Sequence, residues 1–241
     1  GAICHGDVRL ILADGAKLTT TGADNQAGIQ VSGNGNSLTV YGQTKQTGQL
    51  IANGGNNAAG IGGGSMSGGS NITINGGTVT ANGGSGAAAI GGGQGGSGSN
   101  ITINGGTVTA NGGEGGSGIG GGMNGSGSNI KVVPYLILKA DGNNPPETVI
   151  SNAGADLAGS LSGKRYVTIE MPERATVSYI DEYGIEQTVG AYVVSGASSP
   201  TIWGADGIET WFVVKGTDVQ LSQGAICHGD VRLILADGAK L

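Results

Sequence analysis

SNITINGGTVTANGG at residues 70–84 returns unchanged at 99–113, and this pair decides the fold. Around it, GIGGG recurs at 60–64 and 118–122, with AIGGG between them at 89–93. Three apolar columns follow at a 29-residue period: Ile72, Ile101 and Ile130; Val79 and Val108; Ile61, Ile90 and Ile119. The period divides internally into steps of 7, 11 and 11 residues. An earlier coil, NSLTVYGQTKQTGQLIANGGNNAAGIGGG at 36–64, fits after a five-residue insertion near TKQTG, with Leu38 heading the first column and Leu50 the second. Leu18 and Ile29 keep the 11-residue step, so about four coils are visible.

Each segment alternates apolar and polar residues, as in Ile72-Thr73-Ile74 and Thr78-Val79-Thr80, and is bounded by NGG or GGG. That pattern describes short strands with one face inward. Strands recurring at fixed spacing, with connections too short for helices, stack each on its equivalent in the next coil. The expected fold is all-β: a right-handed parallel β-helix of about 29 residues per coil, with a C-terminal β-hairpin segment. Inward Ile, Val and Leu should stack at the inter-strand spacing of about 4.8 Å. Asn71, Asn100 and Asn129 should form a side-chain ladder, as should Asn75 with Asn104 and Asn82 with Asn111.

GIGGG, GSNITINGGTVTANGG and AIGGG together resemble the glycine-rich repeats of large bacterial cell-surface proteins, often described as adhesin-like or carbohydrate-binding. WGADGIETWFVVKGTDVQLSQGAICHGDVRLILADGAKL at 203–241 is similar to the entry segment that precedes the coils in those proteins. The resemblance implies a secreted, bacterial cell-surface location. It also implies tandem neighbours in the same chain and a role in adhesion.

Composition narrows the choice further. The 241 residues include 53 glycines without a G-X-Y period, which excludes collagen, and regularly spaced Ile, Val and Leu argue against disorder. A net charge of −6 offers no electrostatic footprint for nucleic acid. No apolar run approaches the roughly 20 residues of a membrane span, and Gly1 does not open a leader of basic and then apolar residues.

GAICHGDVRLILADGAKL occurs twice, at 1–18 and at 224–241. The chain therefore reads as a permuted unit that starts partway through one repeat and ends at the same place in the next. The expected layout is a glycine-rich β-helix at 1–140, an irregular capping coil at 141–170, a hairpin segment at 171–207, and entry coils of the next unit at 208–241. A first hairpin should turn at Asp181–Gly184 and a second at Ala205-Asp206-Gly207. Residues 208–241 should either form their own short sheet or dock on the open end of another molecule, giving head-to-tail association.

Chemistry is sparse. Cys4 and Cys227 occupy one position in the two copies, so a unit holds one cysteine and no disulfide framework. The adjacent Cys-His pairs, Cys4 with His5 and Cys227 with His228, lack metal-site spacing. β-Helices include polysaccharide lyases and hydrolases, which need clustered acids. Between Thr19 and Ile130 the charged residues are Asp24, Lys45 and Glu114 alone. Asp24 and Glu114 stand about three coils apart, roughly 14 Å at the inter-strand spacing, too far for a carboxylate pair. Asp181, Glu182, Asp206 and Glu209 read as solvated turn acids. No catalytic, cofactor or metal site is expected, and a lyase or hydrolase is the last of three readings.

The expected role is a non-catalytic stalk or adhesion module. The alternative is a module that binds plant or host polysaccharide, in which sugars stack on aromatics. Eight of the nine aromatics lie at or after Tyr135, and Tyr183, Trp203 and Trp211 are the candidate ligand contacts. Trp211 and Phe212 are adjacent in a strand, so one faces in and the other out.

Overall fold

A computed structural model describes residues 1–150, 156–194, 202–203, 209–216, 218–221, 225–227 and 229–239, with backbone alone at 202, 203 and 226. They fall into two compact units: one comprises 1–132 with 138–170, the other 133–137 with 171–241.

The first unit is a β-solenoid of about five turns. Each turn supplies a two-residue, a six-residue and a five-residue strand. They are β1 (Ala2–Ile3), β2 (Asp7–Leu12) and β3 (Lys17–Thr21), then β4 (Ile29–Gln30), β5 (Ser37–Gly42) and β6 (Gln49–Asn53). The pattern continues through β7 (Ile61–Gly62), β8 (Gly69–Ile74), β9 (Thr78–Asn82), β10 (Ile90–Gly91), β11 (Gly98–Ile103) and β12 (Thr107–Asn111). The last turn holds β13 (Ile119–Gly120), β14 (Gly127–Val132) and β15 (Ile137–Asp141). Stacking is parallel: Leu38 pairs with Ile72 and Ile72 with Ile101, while Leu50 pairs with Val79 and Ile61 with Ile90. The sequence columns are therefore the physical registers, and the pairing of Leu38 with Ile72 absorbs the five-residue insertion.

Leu38, Ile72, Ile101 and Ile130 are fully buried or nearly so, as are Leu50, Val79 and Val108. Each such side chain contributes roughly 1.5–3 kcal/mol relative to an exposed one. The asparagine ladders also form. Nδ2 of Asn129 donates to Oδ1 of Asn100 at 2.8 Å, and Asn100 to Asn71 at 3.1 Å. Asn111 donates to Asn82 at 2.8 Å, Asn82 to Asn53 at 2.8 Å, and Asn104 to Asn75 at 2.8 Å. Asn71, Asn100 and Asn129 carry φ of 57°, 53° and 49°, a left-handed corner that asparagine tolerates best after glycine. Gly91 has a different need: its φ is +132°, and a Cβ there would collide with the carbonyl oxygen of Gly120 in the next turn.

The far end of the solenoid departs from strict stacking. β15 does not continue the ladder on β12. β16 (Tyr166–Glu170) takes that place and runs antiparallel to β12, with Ile169 opposite Val108 and Val167 opposite Ala110. Between them, the one-turn helix α1 (Ala158–Leu161) buries Leu161, and Asp156 ties it to β14. The carboxylate of Asp156 accepts the backbone N–H groups of Asn129 (2.7 Å), Ile130 (2.8 Å) and Ala158 (3.0 Å). Those bonds, Ile130 foremost, hold its carboxyl below the usual range.

In the second unit β17 (Arg174–Ile180) and β18 (Glu186–Val194) form the expected antiparallel hairpin. The expected second hairpin does not form among the described residues. β19 (Ile202–Trp203) pairs in parallel with β21 (Ile226–Cys227), while β20 (Glu209–Val214) lies between β18 and β22 (Asp230–Leu235), parallel to both. The reason is occupancy: β18 lies on one side of β20 and β22 on the other, so neither edge of β20 is left for β19. The proposed turn at Ala205-Asp206-Gly207 lies outside the described residues. β20 and β22 thus share one sheet with the hairpin, across the boundary expected at 207/208.

Candidate aromatic groove

The four-stranded sheet of the second unit has two faces set by strand alternation. On one face Val194, Phe212, Val214 and Val219 form a buried cluster, with Tyr192 packed against Phe212 at 5.6 Å between ring centroids. Trp211 faces the opposite way and is half-buried, so of the adjacent pair Phe212 is the core residue.

Trp211 anchors the groove. Its register partner on β22 is Arg232, and Glu209, two residues back on the same face, sits opposite Asp230. Arg232 Nε lies 3.2 Å from carboxylate oxygens of both Glu209 and Asp230, and its guanidinium carbon 6.0 Å from the Trp211 ring. These pairs are half-exposed and screened by solvent, so they add little to stability. They serve mainly to hold the guanidinium beside the indole. From β17, Tyr179 brings its ring to 4.7 Å from that of Trp211, tilted by 42°.

The hairpin turn supplies the rim. Asp181 accepts the backbone N–H of Ile185 (2.9 Å) and of Tyr183 (3.0 Å), and Nε2 of Gln187 (3.0 Å). The Ile185 bond is the largest of the influences that lower its carboxyl pKa, so Asp181 stands as a fixed acceptor rather than a proton donor. Gly184, at φ +77°, closes the turn and leaves Tyr183 78% exposed.

Tyr179, Asp181, Tyr183, Glu209, Trp211 and Arg232 line an open groove of about 430 Å³. A second hollow of about 430 Å³ adjoins it, sharing Glu209 and Trp211 and reaching Arg174, Tyr192 and Tyr135. Arg174 lies 5.0 Å over the Tyr192 ring, which stacks on Tyr135 at 5.8 Å. Burial raises the phenol pKa of both tyrosines. Flat ring faces beside fixed carboxylates and guanidinium groups suit a ligand with one apolar face and many hydroxyls.

Of the three aromatics chosen from sequence, the groove unites Tyr183 and Trp211. The Trp203 side chain lies outside the described residues. Tyr179, Glu209 and Arg232 were not chosen. Glu209 was read as a turn acid but opens β20, and Arg232 becomes a neighbour of Trp211 through a strand pairing that no sequence period announces. Tyr179 left a weak signal, since it shares the alternation of Ala175 and Val177 on β17.

Elsewhere, Cys4 is buried, which raises its thiol pKa, while His5 is exposed; Cys227 is exposed, and His228 lies outside the described residues. Among the described residues no three His, Cys, Asp or Glu side chains gather as a metal site, and no helix is long and apolar enough to cross a membrane.

Comparison with known families agrees with the registers. A family profile described as Beta helix repeat matches residues 72–94 and again 101–123, two successive turns in the same phase. The chain carries β-helix repeats. No curated protein and no solved structure matches it. The β-helix repeats span β8 to β10 and β11 to β13, the most regular part of the solenoid.

Proposed function

We propose that this chain is a non-catalytic β-solenoid module of a bacterial cell-surface, adhesin-like protein, acting as a stalk that holds an adhesive surface away from the cell. The observation that carries this reading is the doubled stacking. The inward columns are built mainly of apolar residues, and the asparagines of adjacent turns are bonded side chain to side chain along the same axis. Pulling along that axis loads backbone and amide ladders together, which suits a rod under tension. The test is single-molecule stretching of the chain tethered at both ends. The solenoid should unfold at higher force than its Asn82→Ala variant, which loses two amide bonds at once; equal forces would sink the idea.

The aromatic groove favours a second reading, in which each unit also binds polysaccharide and tandem copies add avidity. Tyr179, Tyr183 and Trp211 would stack on sugar rings, with Asp181, Glu209 and Arg232 accepting or donating to hydroxyls. Pull-down on insoluble plant and host polysaccharides, with a glycan array at millimolar ligand, separates the two. Binding lost in Trp211→Ala supports the second, and no binding at all leaves the stalk.

A further inference from the structure

Asn–Gly pairs occur at Asn34, Asn53, Asn75, Asn82, Asn104, Asn111 and Asn124. In a flexible chain such a pair loses its amide, because glycine, lacking a Cβ, lets its own backbone nitrogen reach the side-chain carbonyl carbon. The fold treats these pairs unequally. Around Asn82, Nδ2 donates to Asn53 and Oδ1 accepts from Asn111, both at 2.8 Å, while the N–H of Gly83 donates to the Asn111 carbonyl at 2.8 Å. Amide and nucleophile are both engaged. The same ladder holds Asn53 and Asn111, with the N–H of Gly54 on the Asn82 carbonyl and that of Gly112 on the Arg165 carbonyl. On a separate ladder Asn104 donates to Asn75 at 2.8 Å. Asn34 is the opposite case. It stands exposed at the tip of the loop between β4 and β5, pinched at its base by Asn36 Nδ2 donating to the Ser32 carbonyl at 2.7 Å. Gly35 follows at φ +78°, with open space around its Cβ position. Among the described residues neither the Asn34 amide nor the Gly35 N–H has a hydrogen-bond partner. Asn124 is intermediate: its side chain is exposed, but the N–H of Gly125 donates to the Gly122 carbonyl at 2.8 Å.

We propose that Asn34 is a site of spontaneous deamidation, and that the asparagine ladders protect their own rungs from the same reaction. The Gly35 nitrogen attacks Cγ of Asn34. A C–N bond forms, the nitrogen's proton passes through solvent to the departing amide nitrogen, and ammonia leaves behind a cyclic imide. Water then adds across one of the two imide C–N bonds. Cleavage from Cγ restores the ordinary backbone with an aspartate. Cleavage from the backbone carbonyl carbon gives isoaspartate, with the chain running through the side chain. Neither Asn34 nor Gly35 lies in a strand, so the columns and ladders survive a change that adds one negative charge at the loop tip. At Asn82 the same closure must first break the three hydrogen bonds described above. Each is worth a factor of roughly 2 to 10 in an opening equilibrium, so the reaction there is slower by about tenfold at the least. Asn124 has one such bond to break and falls between.

The experiment incubates the full folded chain in mildly alkaline buffer and follows amide-to-acid conversion by mass spectrometry of tryptic peptides, with enzymatic isoaspartyl methylation as an independent readout. Asn34 holds the only Asn–Gly pair of peptide 18–45, and fragment ions separate the others within 46–131. Asn34 should convert at about ten times the rate of Asn82 or more, with Asn124 in between. A chain held unfolded in guanidinium should convert all of these pairs at similar rates. Equal rates at Asn34 and Asn82 in the folded chain overturn the proposal. So does the same rank order in denaturant, which would trace it to local sequence rather than to the fold. Asn111→Ala takes one bond from Asn82 and should raise its rate by a factor of roughly 2 to 10, while Asn34 keeps its own. An unchanged rate at Asn82 in that variant overturns the protective role of the ladder.

Discussion

Replacing Ile101 by alanine tests the stacked column at its centre. Ile101 is fully buried between Ile72 and Ile130, and both neighbours are buried as completely. The substitution removes three methylene-sized groups, about 2.4 kcal/mol of transfer free energy at roughly 0.8 per group. A cavity term adds to this, because the flanking isoleucines are held at the strand spacing by backbone ladders on both sides and cannot collapse inward. The expected cost is therefore about 3–4 kcal/mol, within the usual range for such truncations. The matched control is Ile11→Ala on β2, 65% exposed on the outer surface, which should change stability by no more than about 0.5 kcal/mol. Guanidinium unfolding followed by far-ultraviolet circular dichroism reads the solenoid, and tryptophan fluorescence reads the second unit separately. A double variant, Ile72→Ala with Ile101→Ala, should cost less than the sum of the singles, because the two cavities merge. A midpoint for Ile101→Ala indistinguishable from that of Ile11→Ala would refute the assignment of this column to the core.

Three further outcomes are expected. Gly91→Ala should destabilise the solenoid by about 1–3 kcal/mol through its positive φ and the carbonyl of Gly120, whereas Gly142→Ala, with open space around its Cβ, should be nearly neutral in the same denaturation assay. Asp156 has a lowered folded-state pKa, so its contribution is complete above the unfolded value of about 3.9 and is lost as pH falls through the folded value. Melting curves between about pH 5 and pH 2 should show an acid-dependent fall that Asp156→Asn flattens. Trp211→Ala should abolish any polysaccharide retention while the Tyr192–Phe212 packing on the other face keeps the unit folded; retention unchanged in that variant would place the ligand elsewhere.

The solenoid was legible because its code is one-dimensional. Ile72, Ile101 and Ile130 fall at equal intervals, and a parallel stack turns equal intervals into contacts. The asparagine ladders could be read for the same reason, although the left-handed φ of Asn71, Asn100 and Asn129 could not, since a ladder position does not reveal the backbone conformation of its residue. Beyond Val132 that logic stops. β16 inserts antiparallel on β12 by virtue of two inward residues, Val167 and Ile169, that match any apolar column equally well. The groove lay deeper still. Trp211 and Tyr183 stand out by residue type, but Arg232 belongs to a stretch whose other copy places Arg9 opposite Thr39. Its place beside Trp211 depends on a pairing of β20 with β22 that periodicity does not encode.

The antiparallel closure by β16 has a kinetic side. β9 and β12 are the same five letters, TVTAN, and Arg165, which donates to the Gly112 carbonyl at 2.8 Å, would find an equivalent carbonyl at Gly83 one turn earlier. A nascent chain that closes on β9 therefore satisfies β16 fully while leaving a 29-residue turn looped out. The unburied isoleucines and valines of that loop penalise the error, together with its lost strand pairings and amide bonds. The repetition that makes the rod so regular also supplies its nearest decoy, a solenoid miscounted by one.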